Sequence, residues 1–263
     1  MRSGVYLQAH KGVESEYPEN TMPAFCAAAE QGYEMIELDL GVTKDHQIIV
    51  LHDEKINRTA RREDGGELTE PACISDLTYA EALHYDFGLW FSPAFRGTRL
   101  PLFSQVLTLA AERDILLKLD NKLQRFAPED MDRLFAMLKA SPARVCISCW
   151  NEEIARRTIR ELPRGEISFD GLTDEAELAR LCALAGRERL TIWIPVDRDR
   201  AAWAPAEWFA SPEDCRMIQK YARLGLWAIR DADSLARATV LYQPYAAETN
   251  GVIKPDKMNE KEN

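Results

Sequence analysis

Short apolar runs alternate along this chain with longer stretches of helical period, a pattern that predicts parallel strands joined by helices. Residues 5–9 read as a buried strand ending at His10, Lys11 and Gly12. Residues 21–32 read as the first helix. Asn20 or Thr21 can cap it, Pro23 is tolerated in its first turn and Gly32 ends it. In residues 35–40, side chains two apart share a face, so Glu37 and Asp39 project together while Ile36, Leu38 and Leu40 face the other way. Residues 47–51 are again apolar and carry His52 and Asp53 at their carboxyl end.

The same alternation continues to the end of the chain. Helix 102–113 leads into strand 115–122, on which Lys118, Asp120 and Lys122 share one face. Then follow helix 128–140, strand 145–149, helix 152–162, strand 166–169, helix 174–185 and strand 190–196. Helix 212–224, strand 226–230, helix 234–242 and a last strand at 251–253 complete the series. With 47–51 taken as an accessory of the second strand, the pattern predicts a (β/α)8 TIM barrel with its chemistry at the carboxyl ends of the strands. Residues 54–100, rich in Gly and Pro, break the rhythm. An insertion of that length is expected to cap a site, with Trp90 and Phe91 supplying packing area. A second polar and aromatic loop covers 197–211.

Length and composition narrow the picture. A chain of 263 residues, 46% hydrophobic, suits one barrel domain over 1–255 followed by a polar tail at 256–263. A formal charge of −10 argues against nucleic acid as a partner, since phosphate backbones call for clustered cations. Cys146 and Cys149, three apart on a strand, face opposite sides, so a zinc or redox role is not expected of them. The scattered cysteines suit a reducing cytosol, and no apolar run reaches the length of a membrane span, so a cytoplasmic protein without stable membrane insertion is expected.

The chemistry concentrates in the first fifty-three residues. His10 and His52 stand at strand ends on either side of Glu37 and Asp39. Two carboxylates buried side by side repel each other unless a cation lies between them, and a hard divalent ion satisfies oxygen ligands of this kind.

These residues form an ordered pattern. Ala9, His10 and Gly12, then Pro18, Glu19, Asn20 and Thr21, then Glu37 and Asp39, then His52 and Asp53, then Arg58 and Thr59 resemble the signature of the glycerophosphodiester phosphodiesterase family. The resemblance implies metal-dependent hydrolysis of a small-molecule glycerophosphodiester to sn-glycerol 3-phosphate and an alcohol. His10 and His52 would be general acid and base, in an order the sequence does not fix. Glu37, Asp39 and Asp120 would hold Mg2+, Ca2+ or Mn2+, and Lys11, Lys122 and Trp227 would contact substrate. Asp120 and Lys122 have a structural ion pair as their lesser alternative, while Trp227 reads equally as core packing and Asn20 and Thr21 equally as caps only. Glu19 is expected near the metal or just behind it.

Three positions depart from the family pattern. Lys11 stands where arginine is usual and keeps the charge without the two-pronged contact to phosphate. Asp120 replaces a glutamate, and Arg230 an asparagine, so Arg230 is expected to make up for the geometry Lys11 lacks. Two alternatives share the barrel: a lysophospholipase D-like enzyme with an acyl channel lined by 87–91 and 203–209, and a non-catalytic binding module.

Overall fold

The computed structural model describes residues 4–172 and 174–255. Eight parallel strands close into a barrel in the order β1-β10-β9-β8-β7-β6-β5-β2. The barrel strands are β1 (Tyr6–His10), β2 (Met35–Leu38), β5 (Leu116–Leu119), β6 (Arg144–Ser148), β7 (Glu166–Asp170), β8 (Leu190–Pro195), β9 (Arg223–Trp227) and β10 (Ala246–Thr249). Helices α1 (Met22–Gln31), α3 (Phe103–Arg113), α4 (Pro128–Ala140), α5 (Glu152–Glu161), α6 (Glu175–Ala185), α7 (Pro212–Tyr221) and α8 (Ala232–Tyr242) alternate with them. A short helix, α2 (Tyr79–Ala82), lies in the long insertion.

The alternation of side chains along each strand sorts them into two cores. Outward-facing Ile36, Leu38, Leu117, Leu119, Ile147, Ile192 and Leu226 pack with the helices in the main cluster. Inward-facing Met35, Leu116, Cys146, Trp193 and Ala246 form a small separate cluster inside the barrel. Trp193, fully buried, fills the middle of that interior. Its ring explains Gly225 on the adjoining strand β9, where any Cβ would run into the indole.

The helix starts follow their caps. Thr21 accepts from the Ala24 N–H, Asn151 from Ile154 and Asp174 from Glu177. Gly32, at φ +86°, closes α1 in the left-handed conformation.

Several predicted elements move. The accessory strand is the second arm of an antiparallel hairpin, β3 (Leu40–Val42) against β4 (Ile48–Val50), outside the barrel. The strand expected over 115–122 ends at Leu119, because Asp120 caps a 3-10 turn at Asn121–Arg125. The strand expected at 226–230 lies at Arg223–Trp227, and Ala228, with φ +63°, breaks the extended backbone just after it. The last strand is Ala246–Thr249 rather than 251–253, where Gly251 takes φ +87°. The tail at 256–263 lies outside the described residues.

The insertion packs beside the barrel mouth on a core of its own. Its apolar residues, among them Ile56, Ile74, Ala82, Phe87 and Leu100, pack on Ile49 and Leu51 of the hairpin as a cluster of their own. Trp90 and Phe91 belong to an aromatic group reaching Phe95 and Tyr17. No residue of 54–100 lines the cavity at the barrel mouth.

Candidate active site

A cavity of about 450 Å³ opens at the carboxyl ends of the strands, within the size range of small-molecule sites. His10, Glu37, Asp39, His52, Asp120, Lys122 and Trp227 all line it. Barrel geometry gathers them. His10 and Glu37 are register partners on β1 and β2, Asp39 follows β2, Asp120 follows β5, and the hairpin brings His52 back to the rim.

The ligand oxygens of Glu37, Asp39 and Asp120 lie within 4.8 Å of one another. Glu37 and Asp39 are almost completely buried. Burial and the neighbouring Asp39 charge push the Glu37 carboxyl well up, whereas Asp39, equally buried, is held down by Lys122 and then His52. The Lys122 ammonium lies 2.6 Å from Oδ1 of Asp39 and 3.1 Å from Oδ1 of Asp120. Asn20 donates to the other Asp39 oxygen at 2.8 Å. Three converging oxygen donors, one of them destabilised as an anion, fit a hard divalent cation.

Each histidine is oriented through Nδ1. His10 Nδ1 lies 2.7 Å from Oε1 of Glu14, and His52 Nδ1 lies 2.6 Å from Oδ1 of Asp53. A carboxylate only accepts, so each ring donates from Nδ1 and leaves Nε2 for other partners. Nε2 of His10 faces Glu37 at 3.8 Å. Burial disfavours the His10 cation, but Glu248, Glu14 and Glu37 outweigh it and raise the imidazole to about 10.

Two residues expected to meet substrate lie off the cavity wall. Lys11 does not line the cavity. Its backbone, at φ +52°, turns its N–H onto Oε2 of Glu37 at 3.2 Å, and its ammonium points to Glu19 at 3.5 Å. Arg230 does not substitute for it, because β9 ends three residues earlier and the exposed Arg230 pairs with Asp197. Glu19 is held by Arg58 through two 2.7 Å hydrogen bonds.

Other cavity residues escaped the sequence reading. Asp170 is the last residue of β7, one past the predicted bound, and Glu248 sits on a strand too poor in β-branched residues to be recognised. Strand period alone would have turned both inward once the bounds were right. Glu14, on the turn after β1, carries no strand or helix signal. The outer wall comes from the 197–211 loop, with Arg200, Trp203 and Trp208. Trp203, 71% exposed, stacks on Trp227 at 5.2 Å between ring centroids.

Known proteins share this fold. The solved structure of an Oleispira antarctica phosphodiesterase in complex with sn-glycerol-3-phosphate is similar at TM-score 0.73 and 17% identity, covering 94% of this chain and 93% of that one. A glycerophosphodiester phosphodiesterase structure from Thermotoga maritima has TM-score 0.66 at 17% identity, covering 96% and 97%. In sequence, the glycerophosphodiester phosphodiesterase of Caldanaerobacter subterraneus is 36% identical over 114 residues, 43% of this chain and 44% of that protein. The chain spans less than half the length of the curated relatives it matches first. The sequence model of the glycerophosphoryl diester phosphodiesterase family matches residues 10–207. That span carries both histidines and all three clustered carboxylates, and the chain belongs to the glycerophosphoryl diester phosphodiesterase family.

Proposed function

We propose that this chain, as one phosphodiesterase domain over 1–255, hydrolyses small soluble glycerophosphodiesters to sn-glycerol 3-phosphate and an alcohol. The observation that carries the reading is the cavity itself: three convergent carboxylates flanked by two histidines, each held through Nδ1 by its own carboxylate.

Glu37, Asp39 and Asp120 would hold a divalent cation, Mg2+, Ca2+ or Mn2+, which supplies Lewis acidity towards the phosphoryl group. The residues of the chain do the rest. One of His10 and His52 takes the proton of the glycerol 2-hydroxyl through Nε2 as that oxygen attacks phosphorus. The other gives a proton to the departing alcohol oxygen. Water then opens the cyclic phosphate, with the two histidines exchanging duties. Lys122, tethered at Asp39 and Asp120, is placed to neutralise non-bridging oxygens. Trp227 walls the cavity. Lys11 acts through its N–H on Glu37 rather than on phosphate.

One observation favours a second reading, cleavage of lysophospholipids: the exposed Trp203 beside Trp227 and Trp208 gives the mouth an apolar rim where an acyl chain could lie. A human lysophospholipase D is 42% identical to this chain over 77 residues, 29% of this chain and 22% of that protein. The six unpaired cysteines support a reducing compartment, hence a cytoplasmic enzyme. No helix among the described residues is long and apolar enough to cross a membrane.

The test is release of glycerol 3-phosphate from glycerophosphocholine by the purified protein. It is run with and without chelator, with each ion added back separately and a His10→Ala control. Chelator-sensitive release that the variant lacks supports the reading. No release with any ion from a folded sample sinks it.

A further inference from the structure

The cavity floor carries charged groups that the proposed chemistry leaves unused. Lys118 stands on β5, two residues before Asp120 and in register with Glu37, so its side chain enters the barrel level with Glu37 and one step below Asp120. It is only 5% exposed, and its ammonium lies 4.6 Å from the centroid of the Trp193 ring. Among the described residues it makes no hydrogen bond and no ion pair. The cavity it lines is the place from which a partner for its three donors can come.

The surroundings narrow the partner. Asp170 and Glu248 line the same cavity. Gln8, fully buried on β1, donates to one Glu248 oxygen at 2.5 Å. An anionic group placed on this floor would meet two carboxylates, and a cationic head group would meet the ammonium. A hydroxyl suits both, because its oxygen accepts from Lys118 while its proton goes to a carboxylate. Lys122, the cation assigned to the phosphoryl group, lies beside Asp39 and Asp120 rather than on this floor.

We infer that Lys118, with Glu248 and Asp170, forms the subsite for the terminal primary hydroxyl of the substrate's glycerol arm. The enzyme therefore selects diesters whose arm carries that hydroxyl beside the attacking one. The inference rests on the phosphodiesterase reading above and assigns Lys118 a substrate contact distinct from the phosphate.

The experiment is a cycle of two enzymes and two substrates. Wild type and Lys118→Met are assayed on glycerophosphocholine and on 2-hydroxypropyl phosphocholine, which keeps the attacking hydroxyl and lacks the terminal one. Wild type is expected to lose about 10- to 100-fold in kcat/KM on the analogue, the worth of one charge-assisted hydrogen bond. Lys118→Met is expected to lose a similar factor on glycerophosphocholine and little on the analogue. Equal losses on both substrates, or a wild type that does not distinguish them, overturn the inference while leaving the phosphodiesterase reading intact. A wild type inert towards both diesters overturns that reading and this inference with it. The wild-type comparison of substrates stands even if the variant fails to fold.

Discussion

His52 Nδ1 lies 2.6 Å from Oδ1 of Asp53, and the other oxygen of that carboxylate receives Nε of Arg58, also at 2.6 Å. Arg58 comes from the insertion and grips Glu19 with its two remaining nitrogens. The insertion thus acts on the site from the side, as the support of one histidine. Removing the guanidinium in Arg58→Ala frees Asp53 and unsettles the ring. The expected result is a loss of about tenfold or more in kcat with little change in KM, a part of what a positioned acid or base is worth. Added guanidinium should restore much of it. Loss in KM alone, or no rescue from a folded variant, would show that the chain Glu19–Arg58–Asp53 does not serve His52.

The Lys122 ammonium is bonded to both Asp39 and Asp120, two of the three carboxylates that would hold a divalent ion. A divalent ion bound by the same carboxylates has to compete with this ammonium. Lys122→Met should therefore bind divalent ions more tightly, by about tenfold for each ~1.4 kcal/mol of relieved repulsion, while kcat/KM falls for want of the phosphate contact. Titration calorimetry with Mg2+, Ca2+ and Mn2+ reads the first effect and steady-state kinetics the second. Weaker ion binding in the variant would mean that Lys122 supports the cluster instead of competing with it.

What the sequence made legible follows from how each residue is held. Strands flanked by capped helices, such as β1 and β2, announce themselves through period and caps, so His10, Glu37 and Asp39 could be placed at strand ends. The closing strands could not. β9 reads RLGLW because Arg223 is buried against Glu166 and Gly225 makes room for Trp193, and neither residue type signals a strand interior. β10 reads AAET because Ala246 faces the crowded barrel axis, Ala247 packs towards the helices and Glu248 faces the cavity. The missed charges, Asp170 and Glu248, sit where function overrides the apolar pattern. The contribution of the 197–211 loop depends on tertiary docking of Trp208 over Gly171, which no local pattern encodes.

Trp193 and Gly225 make a packing test independent of activity. A methyl group at position 225 has no room beside the indole, and both strands are locked in the barrel, so neither can withdraw. Gly225→Ala should destabilise the protein by about 1–3 kcal/mol, as overpacked cores do. In a chain of this size that is a drop of roughly 2–4 °C in Tm for each kcal/mol. Gly225→Ala combined with Trp193→Phe should recover part of the loss, because the smaller ring leaves space. A single variant as stable as wild type would show that the barrel interior is looser than its geometry indicates.

Asp86 ties the insertion together and gives it a pH dependence. Its Oδ1 accepts from the N–H groups of Gly88 and Leu89 at 2.8 and 2.9 Å, and its Oδ2 accepts from Gly97 at 2.5 Å. Burial opposes the charge, but the three N–H donors, led by Gly97, outweigh it and hold the carboxyl below its usual range. A depressed folded-state pKa means that the stabilisation is fully present above the unfolded value, about 3.9, and is lost as pH falls through the folded one. Hydrogen exchange in residues 86–98 should therefore be slow at neutral pH, once corrected for the pH dependence of intrinsic rates, and should lose protection as pH falls below about 4. In Asp86→Asn the amide keeps one acceptor oxygen and cannot carry the charge. The variant should lose protection in this segment already at pH 7 and show a flatter dependence in the acid range. If wild type and variant exchange alike at pH 7, the three N–H contacts are not what holds the loop.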